Sequence, residues 1–244
     1  MNATEKYLYE RDEQVKENRK NKELEVATRN FTEHLVRANY TKNFTWMGIP
    51  VLQYPQDLMV LQEIIWEIKP DPIVEIGTAF GGLTTFLASI PGGHHVITVD
   101  KEFRFHTVTA IRNGKFSTRI HMIEGNSLSS STYDKVKFMV DGYKTKLFIL
   151  DSHHTHDHVL QELRLYSPLV SVGSYIVVFD TAIEYFGHLD KNQNRPWHKG
   201  NSPYTAVQEF MKDNEEFIID KDVEQQALIT AAPSGWLRRI KNPH

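Results

Sequence analysis

The sequence contains no cysteine. Disulfides, thiolate metal sites and cysteine nucleophiles are therefore excluded. No apolar run approaches the roughly 20 residues of a membrane helix, and the opening MNATEKYLYERDEQ lacks the apolar core of a secretory signal. A cytoplasmic protein without a membrane partner is the expectation. Excess positive charge is missing as well. Lys and Arg number 28 against 31 Asp and Glu, a formal net charge of −3, so no nucleic-acid partner is expected. What remains is ordinary globular material: 244 residues, 40% hydrophobic and 24% charged, long enough to bury a core without staples.

Residues 1 to about 30 are close to half charged, with few apolar positions, and fit either a solvated helix or a disordered arm. We take 1–43 as an extension and 44–244 as the main domain. FTWMGIPVLQYP reads as a packing loop. DLMVLQEIIWEIKP reads as a helix, with Leu58, Leu61, Ile65 and Ile68 at helical spacing, Asp57 as its cap and Pro70 as its stop. From Pro72 onward short apolar runs alternate with helical stretches: PIVEIG, GGLTTFLASI, HVITVD, then IHMIEG, KLFILD, HDHVLQELRLYSPLV and GSYIVVFDT. That pattern predicts an α/β fold with a mainly parallel sheet and helices on both faces. EEFIID, QALITAA and GWLRRI read as short strands too close together for parallel crossovers, which predicts an antiparallel C-terminal edge. Residues 182–203 form a long polar loop with Trp197, His188 and His198, long enough for a lid.

In such a sheet, ligands bind beyond the carboxyl ends of the strands. The first of these ends is EIGTAFGG. Gly77 permits a tight turn, and Gly81 and Gly82 allow close approach of the helix start. The spacing is neither the dinucleotide G-x-G-x-x-G nor a P-loop, so no pyrophosphate cradle is present. Asp100 ends the next strand, 23 positions after Gly77, where a carboxylate can accept two ribose hydroxyls. Glu75 suits a cationic group. A nucleoside with a positive centre and no phosphate describes S-adenosylmethionine. Glu75, Gly77, Thr78, Gly81, Gly82 and Asp100 are its candidate contacts.

Several stretches together resemble the cephalosporin hydroxylase family, class I methyltransferase-like proteins that include rhamnosyl O-methyltransferases. They are TWMGIPVLQYPQDL, PDPIVEIGTAFGG, FILDSHHTHDHVLQELRLYSPLV, GSYIVVFDT, SPYTAVQEF and GWLRRI. The pattern D-S-x-H-x-x-x-H-V-x-x-E-L is the most specific of them. The resemblance implies a seven-stranded Rossmann-like methyltransferase fold and adenine contacts near Asn126 and Ser127. It also implies a divalent metal, usually magnesium, held by Asp151 and Asp180. In the family an acidic pair ends strand five; here it is Phe179-Asp180, one carboxylate short.

Carboxylates ending adjacent strands can share one ion, although Asp151 also suits a helix cap. His153 fits a general base or a partner that fixes Asp151. His154 and His158 are read as a solvated helix start, His156 as surface, and Glu162 as a brace. The function expected is S-adenosylmethionine-dependent O-methyl transfer to a small hydroxylated acceptor, with a homo-oligomer compatible. The alternatives are a metal-deficient cofactor-binding protein and, disfavoured by the glycine spacing, an NAD-dependent oxidoreductase.

Overall fold

The runs IVEI, LFIL and YIVV are apolar enough to need cover on both sides, and every residue in them is buried. The computed structural model describes residues 1–92, 94–191 and 194–242. Two helices come first, α1 (Ala3–Asn18) and α2 (Lys22–Arg37). No residue of α1 is buried, and a capping box between Asn2 and Glu5 starts it. The charged segment is thus helical, and α2 docks through Thr32 and Leu35. A small hairpin, β1 (Thr45–Trp46) and β2 (Ile49–Pro50), leads into α3 (Pro55–Ile68).

Asp57 does not cap α3, as the sequence had predicted. Tyr54 is the N-cap and Pro55 the first helical residue. Asp57 lies one turn in, fully buried, and accepts the Ala231 N–H at 2.8 Å. Its carboxyl is pushed up to about 7 by burial.

Next come β3 (Ile73–Ile76), α4 (Gly82–Ser89), β4 (Val96–Asp100), α5 (Phe105–Arg112), β5 (Ile120–Glu124), α6 (Ser130–Val140), β6 (Leu147–Leu150), α7 (His156–Tyr166) and β7 (Tyr175–Val178). After them follow α8 (Ile183–Phe186), α9 (Pro203–Lys212), β8 (Phe217–Ile219), α10 (Lys221–Ala227) and β9 (Trp236–Arg239). The seven-stranded sheet runs β5-β4-β3-β6-β7-β9-β8, parallel up to β7 and antiparallel on both sides of β9. This is the predicted class, antiparallel edge included. QALITAA, however, is not a strand. Asp220 caps a helix there by accepting the N–H groups of Asp222 and Val223, and Val223 and Ala227 turn one face to the core.

Alternation along the strands divides the core. Ile73, Leu147, Ile149, Tyr175 and Val177 face α3 and α4, while Val74, Ile76, Phe148, Leu150, Ile176 and Val178 face α6, α7 and α9. The strand order reverses between β3 and β6, which run parallel, so the loops after these two strands flank the topological switch point. No helix among the described residues is long and apolar enough to cross a membrane.

Candidate active site

The glycine turn after β3 is held from below and from the side. Glu75 is fully buried, and its Oε2 accepts the hydroxyls of Thr84 and Thr98, each at 2.5 Å. Oε1 has no partner among the described residues. Burial pushes this carboxyl up to about 7 against the two hydroxyl contacts. Thr78 turns its hydroxyl inward to Thr98, so its side chain faces the protein and not the cleft. Asp100 Oδ2 accepts the N–H groups of Thr78 and Ala79 at 3.0 and 3.1 Å, which clamps the turn onto the end of β4. Gly77 has φ +106°, and a Cβ there would strike the Asp151 carbonyl. A Cβ on Gly82 would strike the Pro50 carbonyl. The space these two glycines free is thus filled by the protein's own backbone, a packing role beside the ligand approach that the sequence suggested.

Beyond β6 and β7 the ladder continues for one residue. Asp151 N–H donates to Ile76 O and Phe179 N–H to Leu150 O. This sets Asp151 beside Gly77 and brings Asp180 next to it. Asp151, His154 and Asp180 offer ligand atoms that all lie within 4.8 Å of one another. His154 Nε2 is 3.3 Å from Asp180 Oδ2. Asp180 adopts φ +57°, a left-handed conformation that aspartate tolerates better than most residues and that turns the chain sharply off the strand. The nearby charges of Asp180 and Glu75 add to burial in raising the Asp151 carboxyl well above the carboxylate range, while a hydrogen bond from Gln53 Nε2 at 2.9 Å opposes the rise. Burial lowers His154 below the usual imidazole value, so it stands neutral at pH 7, the form that binds a metal.

The structure decides position 179 and revises the reading of His154. Phe179, at the position of the missing acid, is 1% exposed and packs edge-on against Trp236 at 6.0 Å between ring centroids. It continues the alternation of Tyr175 and Val177 into the core, so position 179 is no ligand site. His154, read as part of a solvated helix start, is instead 12% exposed and completes the triad. Gln53, inside the stretch TWMGIPVLQYPQDL, was missed altogether. A buried glutamine in an apolar loop was the available signal.

The other histidines divide cleanly. His153 is exposed at the mouth, with Nδ1 3.0 Å from the Thr155 hydroxyl. His156 reaches Thr205 and Glu209 on α9. His158 reaches Glu162. Trp197 packs edge-on against both His153 (5.4 Å) and His154 (4.8 Å), with the Arg195 guanidinium over its face at 4.9 Å. Loop 182–203 therefore reaches over the triad; its residues 192 and 193 lie outside the described residues. His188 is exposed, and His198 turns to the Lys199 carbonyl. Asn126 is exposed and caps its own turn through Leu128 N–H, whereas Ser127 directs its hydroxyl at Glu162 and away from the cleft.

Residues 38–240 match the family described as Rhamnosyl O-methyltransferase/CmcI. The chain belongs to the rhamnosyl O-methyltransferase/CmcI family. It is 31% identical over 201 residues to the rhamnosyl O-methyltransferase of Mycobacterium bovis, covering 80% of this chain and 78% of that one. The relative from Mycobacterium leprae is 29% identical over 204 residues, with coverages of 80% and 82%. Among solved structures the chain superposes on CmcI without ligand, with a TM-score of 0.59 at 18% identity over 82% of this chain and 77% of the other. These structural likenesses bear on the fold alone. Membership in the rhamnosyl O-methyltransferase/CmcI family removes the dinucleotide alternative, as the glycine spacing had argued.

Proposed function

We propose that this protein transfers the methyl group of S-adenosylmethionine to a hydroxyl of a small acceptor, a sugar-bearing compound in keeping with its rhamnosyl O-methyltransferase relatives. The observation that carries the reading is the Asp151–His154–Asp180 cluster set beside the glycine turn at the switch point. Residues 44–244 carry the activity in this reading, and 1–43 are an extension tied on by Arg11 to Glu63 (3.0 Å) and Arg19 to Asp222 (2.8 Å). The protein is cytoplasmic in the same reading. A homo-oligomer is compatible with the same reading, and Tyr7, Tyr9, Val26 and Phe31 are exposed on α1 and α2.

The donor set fits a divalent cation. Two carboxylates and a neutral imidazole converge, with ligand atoms all within 4.8 Å of one another. Asp151, Asp180 and His154 would hold the ion, with Gln53 fixing the rotamer of Asp151. When bound, the cofactor supplies an electrophilic methyl and the cation lowers the pKa of acceptor oxygens. Asp100 and the turn it clamps orient the nucleoside, and Glu75 lies below as the counter-charge to the sulfonium. Trp197 walls the mouth. Burial and the neighbouring His158 and His154 hold His153 below the ordinary imidazole range. It is therefore neutral at pH 7, and in the tautomer whose Nδ1–H donates to the Thr155 hydroxyl its Nε2 is the atom that would take the acceptor proton.

Two outcomes are expected. Asp100→Ala weakens binding of S-adenosylhomocysteine by roughly 1.5–3 kcal/mol, the range for hydrogen bonds to a charged group; equal affinity by calorimetry would remove the ribose assignment. Because magnesium is a hard ion that prefers a shell of oxygens and water, a site with one imidazole is expected to let Mn2+ support methyl transfer at lower concentration than Mg2+, and Asp180→Asn raises the requirement for both by roughly tenfold. Activity that ignores chelators, with Asp180→Asn unchanged, would sink the metal assignment.

A further inference from the structure

Glu162 is 0% exposed, lies in the middle of α7, and among the described residues is hydrogen-bonded to none of Asp151, His154 and Asp180. Three donors nevertheless converge on its Oε1. They are the Ser127 hydroxyl at 2.5 Å, the Ser152 hydroxyl at 2.7 Å and His158 Nε2 at 3.0 Å. Ser127 follows β5, in the loop that carries Asn126. Ser152 directly follows Asp151. These loops leave strands at positions one and four of the sheet order, with two strands between them.

From the same stripe of α7, one turn further on, the Tyr166 hydroxyl donates to the Ser127 carbonyl at 2.6 Å. His158, Glu162 and Tyr166 thus stand four residues apart and form one vertical row on α7. Their contacts reach the loop after β5 at two points and the loop after β6 at one. The other carboxylate oxygen, Oε2, is buried with no partner among the described residues. A carboxylate kept in the interior with one oxygen shared by three donors is a costly brace unless its geometry matters.

We infer that Glu162 is a positioning residue that ties the nucleoside-side loop 125–127 to the metal-side loop 151–154, so that both halves of the cleft are set by one buried oxygen. The inference rests on the methyltransferase reading, because it takes its meaning from what those loops hold. The geometry predicts a division of labour. Ser127 is 6% exposed with its hydroxyl committed to Glu162, so it acts on the cofactor side through the backbone of Gly125 and Asn126. Ser152 acts on the metal side through Asp151, its neighbour in the chain.

The test uses the full chain, S-adenosylhomocysteine as one probe and Mn2+ as the other, with affinities read by calorimetry and by electron paramagnetic resonance and folding by thermal melts. Ser127→Ala is expected to weaken S-adenosylhomocysteine about tenfold and to leave Mn2+ within about twofold, the loss of one hydrogen bond to a charged group. Ser152→Ala is expected to do the reverse. Glu162→Leu, which removes the shared oxygen, weakens both probes. Glu162→Gln keeps an acceptor oxygen and restores both to within about threefold of wild type. Variants that lower the melting temperature while leaving both affinities unchanged would reduce Glu162 to a fold brace and overturn the inference. If Glu162→Leu fails to fold, the two serine variants decide by whether they split the probes. A wild-type chain that binds S-adenosylhomocysteine but not Mn2+ leaves the decision to Ser127→Ala against Glu162→Gln on the first probe. One that binds neither overturns the methyltransferase reading and this inference together.

Discussion

Phe179→Glu is expected to lose several kcal/mol of stability and to gain no metal affinity. The side chain stands where the family resemblance led to the expectation of an acid, so the substitution looks like a repair. In the fold it is 1% exposed, on the core face of the sheet against Trp236. An unpaired carboxylate there costs roughly 3–5 kcal/mol, and the aromatic contact goes as well. For a chain of this size each kcal/mol moves the melting temperature by about 2–4 °C, so a fall on the order of 10 °C is expected. Mn2+ affinity of the folded fraction should match wild type. A stable variant that binds the metal more tightly would mean that residue 179 reaches the site after all.

Glu75→Gln should show the opposite face of buried charge. The carboxyl rises from the ordinary 4.5 to about 7 through burial. A raised acid favours the folded state fully below pH 4.5, and that advantage is lost as pH climbs through 7. The amide does not titrate. The stability of the variant relative to wild type should therefore improve by roughly 3 kcal/mol between pH 4.5 and pH 8, whatever constant penalty the buried amide brings. The gain comes with a functional loss. If the carboxylate offsets the sulfonium, the variant binds S-adenosylmethionine about tenfold less tightly at pH 8, with a smaller change for S-adenosylhomocysteine, which lacks that charge. Parallel melts at pH 4.5 and 8 that keep a constant gap would show that Glu75 does not titrate in this window.

The periodicity from Pro72 to Thr181 made the parallel sheet legible because β6 and β7 are short and wholly apolar and β3 is apolar but for Glu75, leaving few other ways to bury them. The strand ends were legible for the same reason, and with them Gly77, Asp100, Asp151 and Asp180. QALITAA misled because a short run of consecutive apolar residues fits a strand, while the decisive contact, Asp220 capping α10, depends on a side chain outside the run. His154 misled because its burial is created by Trp197, more than forty residues later. Gln53 was hidden by distance too, since its partner Asp151 lies 98 positions away. The row His158, Glu162 and Tyr166 was visible as spacing, but which loops it reaches is a property of the packed sheet.

Loop 182–203 closes on itself. Glu184 Oε2 accepts both the Gly200 N–H at 2.9 Å and the Ser202 hydroxyl at 2.7 Å, joining the start of the loop to its end. Ser202 is also the cap of α9. The stems are thus fastened to each other, and none of the sheet's ladder passes through the described residues between them. A segment fastened this way is a cassette. Exchange or lengthening of residues 186–194 would change what meets Trp197 and His153 while the nucleoside and metal sides stay as they are. Through that cassette one scaffold could acquire new acceptors over evolutionary time without relearning how to fold.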